Sequence, residues 1–280
     1  MNAELIGDLT PTLKAYAYNI CGSVADAEDV VQDVLLKFLD VDQQHIDNVK
    51  AYLIRMVINR AIDQKKKLHR LVLDYPGEWL PEPVAAEKAD AGINRKELLS
   101  YSLMVLLEKL NPRQRAVFIL KEAFDYEHTE IAEVLAIKPD LSRQLLTRAK
   151  KSIGAPGLHT GNTVPEAFLN KYLHVLQSGS MEQLEALLNE DVVSVSDGGG
   201  KARAAVKPVY GKKSVAALLL GLYRKFNEQA LVRQGWANGQ PALLYFSAGQ
   251  LIKCVTFTFQ EGRISQAYII RNPDKLKNLN

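Results

Sequence analysis

The side chains best suited to bind DNA lie in the stretch EHTEIAEVLAIKPDLSRQLLTRAKK, residues 127–151. Its first part predicts a short helix with Ile131, Ala132 and Leu135 facing inward. A tight turn and a basic helix follow, which is the helix-turn-helix pattern. In that motif the residues near the start and middle of the second helix meet base edges and phosphates. The candidate DNA-contacting residues are Lys138, Asp140, Ser142, Arg143, Thr147, Arg148 and Lys151.

The role of Arg143 stays open at this point. Its guanidinium suits either the edge of a guanine or a backbone phosphate, and the sequence does not separate the two roles. The segment also has a plainer interpretation, a helical hairpin whose basic face is only solvated. A second basic stretch earlier in the chain weakens that interpretation.

This second stretch, Lys50–Arg70, holds seven basic residues and one acid. A long helix is predicted from Asn48, a favourable N-cap residue. The stretch Asp74–Asp90, with five acids and one base, separates the two basic segments, so two phosphate-facing surfaces are expected. The helix would bury Leu53, Met56, Val57 and Ala61 and project Lys50, Arg55, Asn59 and Arg60 outward.

The elements that must position these side chains are helical up to about residue 154. Residues 5–39 predict helices, with valines 30, 31 and 34 on one apolar stripe. A further helical segment, RKELLSYSLMVLLEKL, spans residues 95–110. In NPRQ (111–114), Asn111 predicts an N-cap and Pro112 the first helical position of the next helix, which ends near Asp125.

The composition changes at GAPGLHTGNTVPE, residues 154–166, where we place a domain boundary. Helices are predicted over 165–177 and 180–189, followed by the strand DVVSVS and another helix, KKSVAALLLGLYRKF. The end of the chain alternates apolar and polar residues between glycine-containing turns, which predicts strands. This order indicates an α+β domain with a curled sheet around a helical layer.

Composition excludes several classes of protein. Hydrophobic residues make up 47% and charged residues 24%, as in globular domains. Cys21, Cys254 and the five histidines fall in no metal-ligand spacing, so neither a metal nor another cofactor is expected. No secretion signal and no bilayer-spanning apolar run is visible, so we expect a cytoplasmic protein without a membrane partner.

Two helical segments resemble the extracytoplasmic-function sigma factors of bacterial RNA polymerase. AEDVVQDVLLKFL with VKAYLIRMVINRAIDQKKK resembles their region 2, and LNPRQRAVFILKEAF through the helix-turn-helix resembles their region 4. The resemblance implies that region 2 binds the polymerase clamp helices and the promoter −10 element, and region 4 the −35 element. Implied polymerase contacts are Asp29, Gln32 and Asp33, and implied −10 contacts are Lys50, Tyr52, Arg55, Asn59 and Arg60.

Some positions depart from the family pattern. Tyr52 stands where the family often has Trp, and we expect it in the core rather than as a platform for a base. Ala136 stands in the helix-turn-helix turn where glycine is common. Lys138-Pro139 replaces the usual serine N-cap, and proline at the first helical position partly compensates.

Three short motifs resemble one subgroup of this family, in which a SnoaL-like domain of the nuclear-transport-factor-like fold is fused at the C-terminus. They are the linker YPGEWLPEP (75–83), DGGGK (197–201) and NPDKL (272–276). We expect the tail to hold the linker; local packing of the linker on region 2 or region 4 is the alternative. The expected contact residues are Tyr75, Trp79, Leu80, Pro81, Glu82, Pro83, Asp197, Gly198, Gly199, Gly200, Lys201, Asn272, Pro273, Asp274, Lys275 and Leu276.

The expected protein is thus multidomain, with two all-α sigma domains and an α+β SnoaL-like domain. The expected segments are region 2 (1–72), a linker (73–90), region 4 (91–154), a linker (155–164) and the SnoaL-like domain (165–280). Expected partners are core polymerase, promoter DNA and an unidentified small ligand of the tail. The tail's acid-base candidates, His174, Asp191 and Asp197, and its candidate hydrogen-bond donors, Tyr172 and Tyr268, form no spaced set, so we expect regulation in cis rather than catalysis. The alternative is a one-component helix-turn-helix regulator with a ligand-sensing or enzymatic tail.

Overall fold

The protein is described here by a computed structural model, which covers residues 3–71, 74–85, 92–154, 166–227 and 230–279. These residues form two compact units. The first is drawn from Met1–Leu73, Lys88–Leu99 and Leu103–Leu158. The second is drawn from Asp74–Glu87, Ser100–Ser102 and His159–Asn280. The described linker residues therefore belong to the C-terminal unit.

The N-terminal part of the first unit is a bundle of three helices that pack on one another. Ser23 caps the second helix by accepting from the backbone N–H of Asp26. Asn48 caps the third by accepting from the N–H of Ala51 at 3.0 Å, which confirms the predicted helix start. The helices are α1 (Ala3–Cys21), α2 (Val24–Leu39) and α3 (Val49–Leu71), with a 3₁₀ turn at Gln43–His45.

The second part of the first unit begins less regularly than predicted. A 3₁₀ turn at Arg95–Glu97 replaces the start of the expected helix over 95–110. The side chain of Asn19 explains the interruption, because its amide donates to the carbonyl of Glu97 and its oxygen accepts from the N–H of Leu99. The remaining helices are α4 (Tyr101–Leu107), whose first two residues belong to the second unit, α5 (Pro112–Phe118), α6 (His128–Leu135) and α7 (Pro139–Ile153), with a π-helical turn at Ile119–Ala123.

Local signals in this part are confirmed. Asn111 and Gln114 form a reciprocal capping box at the start of α5, with Pro112 in the first turn. Ala136, in the turn between α6 and α7, has φ 51° and ψ 51°, the left-handed conformation that favours glycine. Pro139 begins α7, and the side chain of Lys138 makes no cap hydrogen bond.

The second unit is a six-stranded sheet with helices on one face. The strand order is β2-β1-β6-β5-β4-β3; β1 and β6 are parallel, and the other pairs are antiparallel. Register shifts in three of the ladders bend the strands, as a curled sheet requires. The elements are α8 (Glu166–Ser178), α9 (Met181–Ala186), β1 (Leu188–Asp197), β2 (Val209–Tyr210), α10 (Lys212–Leu222), β3 (Leu231–Ala237), β4 (Gln240–Ser247), β5 (Gln250–Gln260) and β6 (Arg263–Ile270).

One predicted boundary in this unit is wrong. The helix expected over 180–189 ends at Ala186, because the chain already pairs with β6 from Leu188 onward. The core lies between the helices and the concave face of the sheet, where Leu169 and Tyr172 of α8 and Val215 and Leu219 of α10 meet Phe257 and the other inward residues of the strands. In the described part of the chain, every helix is too short or too polar to span a bilayer.

Candidate functional site

The linker is held by the carboxylate of Asp197, the first residue of the DGGGK motif. One oxygen accepts from the hydroxyl of Tyr75 at 2.6 Å, and the other accepts from the backbone N–H of Leu80 at 2.9 Å. Asp197 is fully buried and Leu80 nearly so. Burial, followed by the hydrogen bond to Asp197, raises the pKa of Tyr75, which keeps its phenol protonated as a donor.

Lys275, in the NPDKL motif, completes this contact from the other side. Its ammonium donates to the carbonyl of Leu80 at 2.6 Å and to Asp197 at 2.7 Å. It also lies 3.9 Å from the centre of the Trp79 ring and 5.0 Å from that of Tyr75. The charge of this buried lysine is therefore balanced by a carboxylate and two aromatic faces.

The glycines of DGGGK allow the linker to approach. A Cβ on Gly199 would lie 2.2 Å from the amide nitrogen of Asn272, which itself donates to the Tyr75 hydroxyl. A Cβ on Gly200 would lie 2.8 Å from the ring of Pro76. Both glycines also have positive φ, so glycine is favoured at each position both by the close approach and by the backbone conformation. Gly198 is equally restricted, because a Cβ there would lie 2.1 Å from the carbonyl of Ala202.

The second half of the linker is bound by residues that the sequence did not mark. Asn238, in the turn between β3 and β4, accepts from the N–H of Val84 and donates its own backbone N–H to the carbonyl of Val84. Asn278 donates to the carboxylate of Glu82, and the hydroxyl of Tyr101 donates to the carbonyl of Pro81. An Asn-Gly pair such as 238–239 is typical of a hairpin turn and does not by itself indicate a contact with the linker.

The other motif residues have lesser positions in the contact. Pro81 and Pro83 are buried, and Leu276 is buried beneath the C-terminal 3₁₀ turn. Lys201 and Asp274 form an exposed ion pair that joins the two motifs, and Pro273 is exposed. Thus the structure brings the three motifs together within one unit.

The recognition-helix candidates lie on one solvent-facing side of α7, with one exception. Lys138, Asp140, Arg143, Thr147, Arg148 and Lys151 are all exposed. Ser142 is fully buried and lies 2.9 Å from Nδ1 of His128. In this state the hydroxyl of Ser142 joins α7 to α6 and does not share the exposed face of the other candidates. Gln144 is exposed between Arg143 and Thr147 and was missed by the sequence pattern.

The −10 candidates surround one groove on the bundle of α1, α2 and α3. Tyr52, Arg55, Asn59 and Arg60 line a cavity of about 480 Å³ together with Lys37. Tyr52 is half-buried, and its ring centre lies 5.9 Å from that of Phe38. Lys50 is exposed but does not line the cavity.

The polymerase candidates lie on the outer face of α2. Asp29 and Gln32 are exposed, whereas Asp33 accepts from Arg60 at 3.0 Å. Asp33 and Arg60, expected on two different partners, are thus paired with each other in this state. Two apolar residues extend the same face: Leu36 is 64% and Leu39 is 62% exposed. Sequence reasoning missed both, although their spacing from Gln32 is helical.

Helix α3 also contacts the helix-turn-helix inside the first unit. The amide of Asn59 donates to the carbonyl of Val134 in α6 at 2.8 Å. Beneath it, Glu108 binds both Lys65 and the buried Arg115. Burial raises the pKa of the Glu108 carboxyl, but the two cations outweigh burial and the pKa is lowered. The hydrogen bond from Asn59 thus joins a residue expected to contact the −10 element to the helix-turn-helix, which is expected to contact the −35 element.

The acid-base candidates of the tail do not come together. His174 and Asp191 are exposed, and Asp197 is part of the linker contact. Tyr172 packs in the core on the helix side of the sheet, while Tyr268 lies beside Tyr101. Among the described residues, no group of three or more His, Cys, Asp or Glu side chains is placed to hold a metal ion.

Comparison with known proteins agrees with this geometry. Residues 5–71 match the family described as Sigma-70 region 2, and residues 100–153 match Sigma-70, region 4. The chain is 31% identical to the ECF RNA polymerase sigma factor SigJ of Mycobacterium tuberculosis, over 94% of this chain and 89% of that protein. The chain belongs to the extracytoplasmic-function sigma factors.

Two further similarities cover nearly all of this sigma factor. Its fold matches the crystal structure of Mycobacterium tuberculosis SigJ with a TM-score of 0.79, at 27% identity and 99% coverage of both chains. It is also 25% identical to the probable ECF sigma factor SigI of the same species, over 94% of this chain and 90% of that protein. The sigma factor is accordingly a transcription initiation factor rather than an enzyme, with two helical sigma regions and a C-terminal domain built on a curled sheet.

Proposed function

We propose that the C-terminal domain regulates initiation in cis by holding the linker between regions 2 and 4. This proposal rests on two hydrogen bonds to the backbone of Leu80: its N–H donates to Asp197, and its carbonyl accepts from Lys275. Both binding groups are buried and also bind each other. A buried polar network of this kind fixes one geometry of the linker.

Holding the linker limits how far regions 2 and 4 can separate. The 18 residues 73–90 join the two regions. Fully extended, such a segment reaches roughly 60 Å, at about 3.3–3.6 Å per residue. When residues 75–85 are held against the domain, only the remaining seven residues are free to extend, and they add about 25 Å to the fixed span of the held segment.

Binding both promoter elements requires regions 2 and 4 to lie far apart. Elements centred at −35 and −10 lie about 25 base pairs apart, which is roughly 85 Å at about 3.4 Å per base pair. In the described state, Asn59 of α3 is hydrogen-bonded to Val134 of α6. Two helices in contact cannot occupy both elements, so the active state is one in which this contact is broken and the linker is extended.

The DNA and polymerase surfaces follow from the exposed side chains. Region 4 binds the −35 element through the exposed candidates of α7, without Ser142. Region 2 binds the −10 element through the groove around Tyr52 and Arg55, with Lys50 along the backbone. Core polymerase binds Asp29 and Gln32 and packs on Leu36 and Leu39, because an exposed apolar pair flanked by polar groups is typical of a docking surface. Asp33 and Arg60 become available when their mutual ion pair opens.

The working segments are those expected from the sequence. Region 2 extends to residue 72 and region 4 over 91–154, with the regulatory domain over 165–280; the linker of 73–90 works as part of the domain that holds it. As a partner of RNA polymerase, this sigma factor works in the cytoplasm.

Transcription in vitro with core polymerase tests the regulation. Lys275→Met removes the ammonium that binds Leu80 and Asp197. Lys277→Met is a matched control, because the ammonium of Lys277 is exposed and its ion pair, with the exposed Asp274 at 3.5 Å, does not hold the linker. We expect Lys275→Met to raise promoter-specific transcript yield several-fold and Lys277→Met to leave it unchanged. Trp79→Ala, which removes one aromatic face from the same ammonium, is expected to act in the same direction.

Core binding is measured in parallel to separate two kinds of failure. Equal yields from wild type, Lys275→Met and Trp79→Ala, with equal core binding, would show that the linker contact has no regulatory role. If full-length protein neither binds core polymerase nor directs initiation, a one-component DNA-binding regulator becomes the better account. Leu36→Ser/Leu39→Ser is expected to weaken core binding without altering the transcript start site.

A further inference from the structure

The SnoaL-like domain contains a cavity that the linker does not use. It has a volume of about 240 Å³ and opens between α10, the segment after DGGGK and the concave side of β1 and β6. Leu218, Leu222 and Ile269 form an apolar wall with the small residues Ala204 and Ala205. Because its volume lies below the roughly 300–1,000 Å³ of drug-sized sites, it suits a small molecule.

The polar lining of this cavity is basic. Arg203, Lys225 and Arg271 contribute cationic side chains, and Ser196 contributes a hydroxyl. None of the described residues that line the cavity is acidic. A hydrogen bond orients the side chain of Arg271: its guanidinium donates to the carbonyl of Arg203 at 2.5 Å. An anion at this end of the cavity would lie close to cationic side chains.

A buried lysine lies beside this basic end. Lys253 is only 6% exposed and precedes Cys254, which pairs with Ile270, so it is next to Arg271 across the sheet. Its ammonium lies 3.4 Å from the centre of the Tyr245 ring. Within the part of the chain that the structure describes, no oxygen accepts a hydrogen bond from it. Burial, and then the charge of Arg271, lowers the pKa of Lys253 to about 7.

A second polar group on the same face lacks a partner. The hydroxyl of Ser194 is buried, and the described residues supply no hydrogen-bond partner for it. Ser194 precedes Ser196 by two positions, so both side chains lie on the same face of β1. A buried hydroxyl without a partner costs stability, and this one lies on the face of β1 from which Ser196 lines the cavity.

We propose that this cavity binds a small organic carboxylate. Its apolar part packs between Leu218, Leu222 and Ile269, and its carboxylate lies at the basic end beside Arg271, whose neighbour across the sheet is Lys253. A carboxylate supplies acceptors for the charged donors, and such hydrogen bonds are the stronger ones in proteins. The apolar wall excludes inorganic anions as the preferred ligand.

The cavity and the linker contact share two backbone segments. Ser196 lines the cavity and the next residue, Asp197, binds the linker. Arg271 lines the cavity, and the next residue, Asn272, binds Tyr75. The N–H groups of Arg271 and Asn272 both donate to the carbonyl of Asp197, at 2.7 and 3.0 Å. An occupied cavity therefore changes the linker contact through directly connected backbone; this coupling rests on the regulation proposed above, whereas the binding site does not.

Calorimetric titration of the full-length protein tests the site. The probes are benzoate and hexanoate, with benzamide and hexanamide as uncharged isosteres and inorganic phosphate as an anion without an apolar part. We expect saturable binding of at least one carboxylate, at least about tenfold tighter than its amide. Phosphate is expected to bind more weakly than that carboxylate.

Variants assign the binding to the cavity. Lys253→Met is expected to weaken carboxylate binding at least about tenfold, while Lys213→Met, at an exposed position of α10, leaves it unchanged. Leu218→Trp fills the cavity from its mouth and is expected to abolish binding without touching a charge. Lys275→Met, which releases the linker, is expected to change the carboxylate affinity because coupling between two sites is reciprocal.

Several results would overturn the proposal. They are the absence of saturable carboxylate binding at millimolar ligand, equal affinity for acid and amide, phosphate binding as tight as carboxylate binding, and full affinity in both Lys253→Met and Leu218→Trp. An affinity that Lys275→Met leaves unchanged would remove the coupling and keep the site. Failure of Lys275→Met to alter transcription would instead remove the proposed regulation, and the calorimetry would still decide the site.

Discussion

The linker contact and the recognition helix α7 differ in how their polar groups are satisfied. Asp197 is fully buried and accepts from Tyr75, Leu80 and Lys275 at once. On α7, Arg143 is exposed and pairs with Asp140, three residues away on the same helix. The first arrangement stabilises one state of the protein itself, whereas the second leaves an exposed side chain free for the DNA contact proposed above. Substitutions in the two places should therefore differ in what they change.

The largest effect is expected from Asp197→Ala. The change leaves the ammonium of Lys275 and the N–H of Leu80 buried without their carboxylate, which typically costs about 3–5 kcal/mol. Hydrogen exchange at the Leu80 amide should accelerate strongly. Asp274→Ala is the control, because that carboxylate is exposed and binds the exposed Lys201 and Lys277. Similar exchange rates in both variants would contradict the assigned importance of the buried carboxylate.

Gly199→Ala sharpens the same side of the comparison. The new Cβ collides with Asn272 and Tyr75 and also requires an unfavourable positive φ of 58°. We expect a loss of about 2–4 kcal/mol in the stability of the linker contact, measured by exchange at the Leu80 amide. Gly249→Ala is the control, since its φ is 78° and its surroundings are open, so that only the backbone cost of about 1–2 kcal/mol remains. Equal exchange at Leu80 in the two variants would exclude the steric argument.

Arg143→Ala tests the exposed side. It should weaken binding to promoter DNA by about 1–3 kcal/mol while leaving the free energy of unfolding almost unchanged. Ser142→Ala should do the opposite, because its buried hydroxyl contacts His128: about 1 kcal/mol of stability is lost and the salt dependence of DNA binding stays the same. If Ser142→Ala changes the salt dependence of DNA binding as strongly as Arg143→Ala does, the proposed difference between buried and exposed polar groups is contradicted.

The smallest effect is expected at the turn of the helix-turn-helix. Ala136→Gly relieves the left-handed backbone, and the gain, offset by the greater entropy of glycine in the unfolded chain, is up to about 1 kcal/mol. Ala149→Gly, within α7, should instead destabilise by about 1 kcal/mol. Urea unfolding of both variants checks the signs; destabilisation by Ala136→Gly would contradict the assigned strain.

Sequence patterns located the elements well where the cause is local. Asn48 and Asn111 begin helices because each side chain accepts from a backbone N–H three residues later. The helix over 95–110 was overestimated, since Asn19, distant in sequence, takes the backbone groups of Glu97 and Leu99. Local periodicity contains no information about such a competitor.

In the candidate site, too, the sequence indicates what has a local cause and does not indicate what depends on contacts between distant residues. Residue type marked Asp197 and Lys275 through motifs, but their pairing over Leu80 depends on where β1 and the chain terminus meet. Asn238 carries only the signal of a hairpin turn, and Ser142 carries the signal of a polar helix residue. The tertiary structure places Asn238 against Val84 of the linker and the buried hydroxyl of Ser142 against His128.

Hydrogen exchange at the amides of Leu80 and Val84, in the free sigma factor and in its promoter complex with polymerase, tests the central claim most directly. These amides donate to Asp197 and Asn238 in the free protein. The account predicts that both are protected when the protein is free and exchange faster in the promoter complex, because the linker must be released there. Equal protection in both states would show that initiation proceeds with the linker still held, which would contradict the account.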